Sequence, residues 1–165
     1  EFRRVLFRSY NIRVNISSEE KMRELGAAIG RAVSGGEVLE LVGDIGAGKT
    51  TLTKGIAQAL EIDEPVQSPT FTISRVYDSP RGLSLAHYDF YRLGNAGIMS
   101  EEIREVAASN SVVVVEWAGA VDDALPSDRL VIKITAISEE GRLVKFYPGG
   151  KKSDELLGKI KENMA

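Results

Sequence analysis

The chain has 165 residues, no cysteine and a formal net charge of −3. Its length suits one domain, and its composition, 43% hydrophobic and 27% charged, excludes wholesale disorder, a collagen-like repeat and a coiled-coil rod. The absence of cysteine excludes disulfides and thiolate sites, the longest apolar run is too short to span a membrane, and the acidic balance excludes an all-over basic surface for nucleic acid. We therefore expect a soluble, cytoplasmic domain without membrane contact.

The first nine residues have no hydrophobic period that joins them to the residues that follow. They are basic and aromatic, and they lack the apolar stretch and small-residue cleavage site of a signal peptide. We interpret residues 1–9 as a remnant of cloning or sequence assembly. The remainder then has 18 basic and 23 acidic side chains, a net charge of −5. We expect one main domain over residues 10–150, with a C-terminal helix or tail over 151–165.

The first half of the chain predicts two strand–helix pairs. Apolar residues alternate over 12–16, which is typical of a half-buried strand. Ser17 and Glu20 are spaced as a capping box, which predicts a helix over 18–33. The run Val38–Val42 predicts a second strand. A glycine-rich turn and an amphipathic helix follow, and one face of that helix carries Leu52, Ile56, Ala59 and Leu60.

The second half predicts two hairpins, a buried strand and a terminal helix. The hairpins pair residues 71–77 with 83–89 and residues 129–136 with 143–147. Between them lie a weak helix over 101–108 and the all-valine strand 112–115, and Ser153 is a candidate cap for the last helix. The predicted fold is a single α/β domain, whose mixed, mostly parallel sheet is flanked by helices and has added hairpins.

The segment Gly43–Thr50 matches G-x-x-x-x-G-K-[ST] at every required position. In this pattern, backbone N–H groups of a tight loop point at phosphate oxygens, and side chains at Gly46 and Gly48 would block the approach. Lys49 supplies a cation for the β- and γ-phosphates, and the Thr50 hydroxyl can bind Mg²⁺. An apolar strand before the loop and an amphipathic helix after it are the expected context. The sequence therefore predicts a nucleotide phosphate site, and with it a P-loop NTPase-like domain.

Other phosphate-loop classes fit less well. The chain lacks the D-x-x-G and N-K-x-D motifs of a GTPase. The segment 34–37 is similar to an ABC signature but precedes the loop, so it is better interpreted as the end of a helix. A small-molecule kinase would have a lid with several arginines, and the arginines here are scattered.

Three further segments point to one family: Ser68-Pro69-Thr70-Phe71, residues 87–92 (HYDFYR) and Val115-Glu116-Trp117-Ala118. With the loop ahead of them, their order and spacing closely resemble the TsaE (YjeE-type) ATPases, over about residues 16–147. The resemblance implies ATP and Mg²⁺ as cofactors and a role in making threonylcarbamoyladenosine at position 37 of tRNA. It implies TsaB and TsaD as protein partners, with tRNA reached only indirectly through them.

The candidate site residues follow from the motifs. Glu116 ends an otherwise all-valine strand, where a buried carboxylate is costly unless it is paired or near a metal. Asp89 ends another strand and competes for the same role, although a purely structural pairing with Arg92 stays open. Thr70 lies where a switch loop would reach the γ-phosphate, or it simply begins a strand. His87 is either a motif residue or a packed core histidine.

The predicted roles form three overlapping sets. The catalytic set is Lys49, Asp89, Glu116 and Thr70. The nucleotide-binding set is Asp44, Ile45, Gly46, Ala47, Gly48, Lys49, Thr50, Thr51 and Trp117, although Trp117 and Tyr91 could also be plain core aromatics. The metal set is Thr50, Glu116 and Asp89.

Two functional hypotheses stay open alongside a minor third. The first is an ATPase, slow alone and stimulated by partners, whose hydrolysis drives or resets a tRNA-modifying complex. The second is a nucleotide-dependent binding module in which ATP occupancy governs assembly. The third is a small-molecule kinase, for which the sequence offers no obvious acceptor pocket.

Overall fold

A computed structural model describes residues 12–69, 72–91 and 97–165. Helices and strands alternate along the chain in the predicted manner. The described residues form seven strands, β1 (Arg13–Ile16), β2 (Val38–Val42), β3 (Ser74–Asp78), β4 (Ser84–Asp89), β5 (Ser111–Glu116), β6 (Leu130–Ala136) and β7 (Arg142–Pro148). The same residues form four α-helices, α1 (Glu19–Ala32), α2 (Lys49–Ala59), α3 (Gly97–Ala107) and α4 (Lys151–Met164), and a 3₁₀ helix over Ala118–Ala124.

The strands form one mixed sheet in the order β1-β7-β6-β2-β5-β4-β3. Its four central strands, β6, β2, β5 and β4, run parallel to one another, whereas the strands at both edges pair antiparallel. The two predicted hairpins, β3–β4 and β6–β7, are confirmed as antiparallel pairs. The α/β class with a mostly parallel sheet flanked by helices is therefore confirmed.

The sheet separates two apolar clusters. The larger one joins α1, α2 and α4 to one face of the central strands, and the smaller one joins α3 and the 3₁₀ segment to the other face. Both faces of β5 are covered, and Val112, Val113, Val114 and Val115 are all fully buried. This explains why β5 is a continuous valine run, since a strand buried on both sides need not alternate.

Helices α1 and α2 approach each other through glycines. A Cβ placed on Gly26 would lie 2.2 Å from the carbonyl oxygen of Leu52, and one on Gly55 would lie 2.2 Å from that of Arg23. These distances are far shorter than any real contact, so only glycine fits at either position. The close approach fixes α2, and with it the loop that precedes α2, against the rest of the domain.

The structure corrects several boundaries. The weak helix predicted over 101–108 is α3, Gly97–Ala107. Ser18 rather than Ser17 caps α1, and its hydroxyl accepts the Lys21 N–H at 3.2 Å. The C-terminal helix begins two residues before Ser153, which instead lies in its first turn and accepts the Gly150 N–H. The strand predicted over 71–77 is β3, Ser74–Asp78.

In the part of the chain that the structure describes, every helix is too short or too polar to cross a bilayer.

Candidate functional site

The glycine-rich loop connects the carboxyl end of β2 to the start of α2. Gly46 has φ +81° and Gly48 has φ +115°, a left-handed conformation that side-chain-bearing residues rarely adopt. The Ala47 N–H donates to the Asp44 carbonyl at 3.0 Å, which tightens the turn. The first turn of α2 therefore faces the loop, and a helix N-terminus favours anions through its N–H groups and its dipole.

Lys49 is the first residue of α2, and its side chain folds back over the loop. Only 7% of the residue is exposed. Its Nζ donates to the Gly43 carbonyl at 2.6 Å, lies 3.7 Å from Oε1 of Glu116 and sits 4.4 Å from the centre of the Trp117 ring. The ammonium therefore lies between the loop and the end of β5.

Glu116 ends β5 and is only 3% exposed. Its Oε2 lies 2.6 Å from Nε2 of His87, which is fully buried, and its Oε1 faces Lys49. The two oxygens of this carboxylate thus meet different partners. The contacts with His87 and Lys49 compensate the burial of Glu116, as a buried carboxylate requires.

Asp89 ends β4 directly beside Glu116. The two residues are register partners in the parallel β4–β5 pair, so both carboxylates lie at the same carboxyl-terminal edge of the sheet. Asp89 is 3% exposed, and its Oδ1 accepts the Tyr91 N–H at 2.9 Å. The adjacent acidic strand ends that the sequence predicted are therefore present. Arg92, the pairing partner considered for Asp89, lies outside the described residues.

The intervening residue of β4 faces the other side of the sheet. Tyr88 belongs to the smaller cluster, and burial, together with the carboxylate of Glu102, raises the pKa of Tyr88 to about 12. Its phenol therefore stays neutral at physiological pH. Alternation along β4 places His87 and Asp89 on the side of α2 and keeps Tyr88 away from the loop.

Trp117 follows Glu116 in a left-handed conformation, with φ 56° and ψ 50°. Such a conformation in a bulky residue is strained by roughly 1–3 kcal/mol and is found most often at functional sites. The ring is 37% exposed, packs against Tyr91 with 4.8 Å between centroids, and covers the Lys49 ammonium. Trp117 is therefore not a plain core aromatic.

Sequence reasoning missed Arg142, at the start of β7. Its Nε donates to the Ala47 carbonyl at 3.0 Å and its Nη2 to the Gly46 carbonyl at 3.4 Å, while Nη1 donates to three carbonyls of the β6–β7 turn. One guanidinium thus ties the loop to the neighbouring hairpin. No motif marks an arginine that acts on backbone carbonyls, so the sequence carried no signal for it.

The structure brings most of the predicted residues to one edge of the sheet. Lys49, Glu116 and Trp117 are in contact, and Asp89 is next to Glu116 in the sheet. Thr50 and Thr51 are half-buried in the first turn of α2. Of the loop residues, Ala47 is buried, whereas Asp44, Ile45 and Gly46 are exposed. Thr70 lies outside the described residues.

A cleft of about 300 Å³ opens beside the loop, between the first turn of α1 and the β6–β7 turn. It is lined by Ser18, Met22, Gly46, Gly48, Thr51 and Arg142, among others. An α/β domain in which a central parallel strand leads through such a glycine-rich loop into a helix packed on the sheet has the P-loop NTPase-like fold.

Comparison with known proteins identifies the family of the chain. The family described as Threonylcarbamoyl adenosine biosynthesis protein TsaE matches residues 16–144. The chain belongs to the TsaE family, which takes part in the biosynthesis of threonylcarbamoyladenosine in tRNA.

Individual relatives agree with this assignment. The tRNA threonylcarbamoyladenosine biosynthesis protein TsaE of Streptomyces coelicolor is 43% identical over 115 residues, covering 68% of this chain and 78% of the relative. The Bacillus subtilis protein of the same name is 37% identical, covering 89% and 90%. The crystal structure of Bacillus subtilis YdiB superposes with a TM-score of 0.78 at 30% identity, covering 93% and 96%.

Proposed function

We propose that the chain binds and hydrolyses Mg·ATP, and that hydrolysis drives or resets a TsaB–TsaD pair that modifies position 37 of tRNA. The observation that carries the proposal is the convergence of Lys49 and Glu116, from two different elements, on one glycine-rich loop. Anion-binding backbone, a fixed cation and an acidic strand end are the parts that phosphoryl-transfer enzymes share.

The loop fits a polyphosphate. The left-handed glycines let its backbone turn tightly, and Arg142 holds the carbonyls of Gly46 and Ala47 outward. An ammonium has three N–H donors, so Lys49 can keep its bond to Gly43 and still donate to a phosphate oxygen. We propose that the residues 44–51 hold the phosphates and that Trp117 borders them.

The donor set near the loop also fits Mg²⁺. The described residues contain no cluster of three or more metal-ligating side chains. Magnesium, however, is usually held by one or two carboxylates together with substrate phosphates. Thr50, Glu116 and Asp89 would supply such ligands, with Thr70 a further candidate. When bound, Mg²⁺ would neutralise charge on the β- and γ-phosphates.

The remaining steps belong to side chains of this chain. Lys49 would stabilise the charge that develops on the phosphates, and Glu116 would orient the attacking water. Arg142, an arginine whose guanidinium contacts the loop, is bonded to five backbone carbonyls and so is poorly placed to reach the γ-phosphate. We therefore expect slow hydrolysis by the chain alone, since a group missing in trans commonly costs ~10³–10⁵ in rate.

We further propose that the chain acts in the cytoplasm. Its contact with tRNA is indirect, through the partner proteins. The acidic balance of the chain, with a net charge of −3, supports an indirect contact, because direct capture of RNA depends on neutralising phosphates with basic side chains.

Steady-state ATP hydrolysis, measured without any small acceptor, tests the proposal. The chain alone should be slow, and adding TsaB and TsaD should accelerate it. Glu116→Ala should keep ATP binding but lose most of the partner-stimulated rate, and Asp89→Asn should lose less. A rate that the partners leave unchanged favours a binding module, and turnover that needs a small acceptor favours a kinase.

A further inference from the structure

His87 is a buried polar residue to which the proposed reaction assigns no role. Its ring is fully buried on β4, and Nε2 lies 2.6 Å from Oε2 of Glu116. Because an ionised carboxylate can only accept, the ring donates its Nε2–H in this bond. His87 therefore touches the acidic residue of the site.

The other ring nitrogen indicates that His87 is not there for packing. Nδ1 is buried and has no hydrogen-bond partner among the described residues. A buried polar atom without a partner destabilises the fold, and an aromatic ring without nitrogens would fill the same space at lower cost. The contact with Glu116 is the feature of this ring that phenylalanine could not reproduce.

The contacts of Glu116 define what the bond with His87 does. A carboxylate at the end of a strand can rotate about its side-chain torsions, and either oxygen could then face the loop. Here Oε2 is held by His87 and Oε1 faces the Lys49 ammonium at 3.7 Å. Both partners come from elements that are fixed in the core, β4 and the first turn of α2.

We propose that His87 is a positioning residue: its hydrogen bond holds one oxygen of Glu116 on β4, so that the other oxygen faces Lys49 and the phosphates. The inference rests on the proposed ATPase function and adds a residue to it. Groups that orient a ligating or catalytic side chain typically contribute a factor of 10–100 in activity.

Three variants test this in the full chain with TsaB and TsaD. His87→Phe keeps the ring and removes the donor, and we expect kcat to fall about 10–100-fold while the calorimetric Kd for ATP stays within about threefold. His87→Gln places an amide N–H near the position of Nε2 and should restore at least half of the lost activity on a logarithmic scale. The control Ser79→Ala removes a buried hydrogen bond to the Leu60 carbonyl, remote from the loop, and should leave kcat unchanged.

A double-mutant cycle shows whether His87 acts through Glu116. In the Glu116→Gln background, His87→Phe should have little further effect on the rate, because residues that act as a unit are non-additive. Melting temperatures of all variants separate misfolding from mispositioning. Equal kcat for the parent and His87→Phe, or losses that multiply in the double mutant, overturns the inference. A parent that does not hydrolyse ATP even with its partners overturns the proposed function first, so the two failures are distinguishable.

Discussion

At the scale of single residues, the Lys49 ammonium is surrounded by a carbonyl, a carboxylate and an indole ring. Lys49→Ala should weaken ATP binding by about 1.5–3 kcal/mol, the usual contribution of a charged hydrogen bond, which is roughly tenfold to hundredfold in Kd. Isothermal titration calorimetry measures this directly. Lys54→Ala, an exposed lysine on the same helix, is the matched control and should bind as the parent does. A Kd for Lys49→Ala within twofold of the parent contradicts the phosphate site.

Trp117 is the single tryptophan of the chain, so its fluorescence reports on one place. Its ring covers Lys49 and packs on Tyr91. Adding Mg·ATP should change its intensity or wavelength, because phosphate binding alters the contacts of the Lys49 ammonium. The titration should give the same Kd as calorimetry, and Lys49→Ala should abolish the change. A flat signal at nucleotide concentrations that saturate calorimetric binding is the contrary outcome.

At the scale of elements, the α1–α2 contact depends on two glycines that leave no room for a methyl group. Gly55→Ala should lower the free energy of unfolding by about 1–3 kcal/mol, as overpacking does, because α1 and α2 must move apart. Gly158→Ala is the control: Gly158 is exposed on α4, and its added Cβ would meet nothing within 4 Å. That change should be neutral or stabilising by up to ~1 kcal/mol. Urea unfolding measures the stability of both variants, and equal stability would contradict the close approach of α1 to α2.

Helix α4 is fixed at its start by Asp128. Burial by itself would raise the pKa of the Asp128 carboxyl, but hydrogen bonds from the Ser153 hydroxyl, the Ser153 and Lys152 N–H groups and the Lys152 charge lower the pKa below its usual range. A lowered folded-state pKa means that this contribution to stability is present above the unfolded value, about 3.9, and is lost as the pH falls through the folded value.

Asp128→Asn should therefore destabilise the domain at neutral pH by about 0.5–2 kcal/mol, the range for a lost helix cap. The amide has only one accepting oxygen, whereas both carboxylate oxygens of Asp128 accept hydrogen bonds. The difference from the parent should shrink as the pH falls below about 4. Thermal unfolding from pH 7 to pH 3 measures both. Asp123→Asn, at an exposed position, is the control, and a difference that is constant over the pH range would contradict the capping role.

The elements were predictable to different degrees for physical reasons. Strand β2 was predicted with its exact ends, because it is apolar and bounded by glycines. The predicted start of α1 was wrong by one residue. Both Ser17 and Ser18 can cap a helix, and only the backbone geometry determines that Ser18 is the cap. The predicted start of the C-terminal helix at residue 151 agrees with α4, but Ser153 was wrongly predicted as its cap, because Asp128, remote in sequence, supplies part of the cap. Local patterns cannot show such a partner.

At the scale of the whole molecule, the motifs predicted which residues belong to the site but not how they touch. The loop and Lys49 could be named from the spacing of one motif, and Glu116 from its position at the end of a valine strand. The contact between His87 and one oxygen of Glu116 depends on the parallel pairing and the register of β4 with β5. The role of Arg142 depends on β7 lying near the loop, which follows from strand order and not from any local signal.

The position of β2 between β5 and β6 also affects how the protein can be made. β2 ends at Val42, but its two neighbours begin only at Ser111 and Leu130. A ribosome that adds about 5–20 residues per second needs several seconds after β2 to synthesise β5 and β6. During that interval α1 and α2 can already pair, whereas the apolar β2 has no strand to bond with. The glycine-mediated α1–α2 pair is thus the first part of the domain that can cover the apolar side chains of β2, before β5 and β6 have been synthesised.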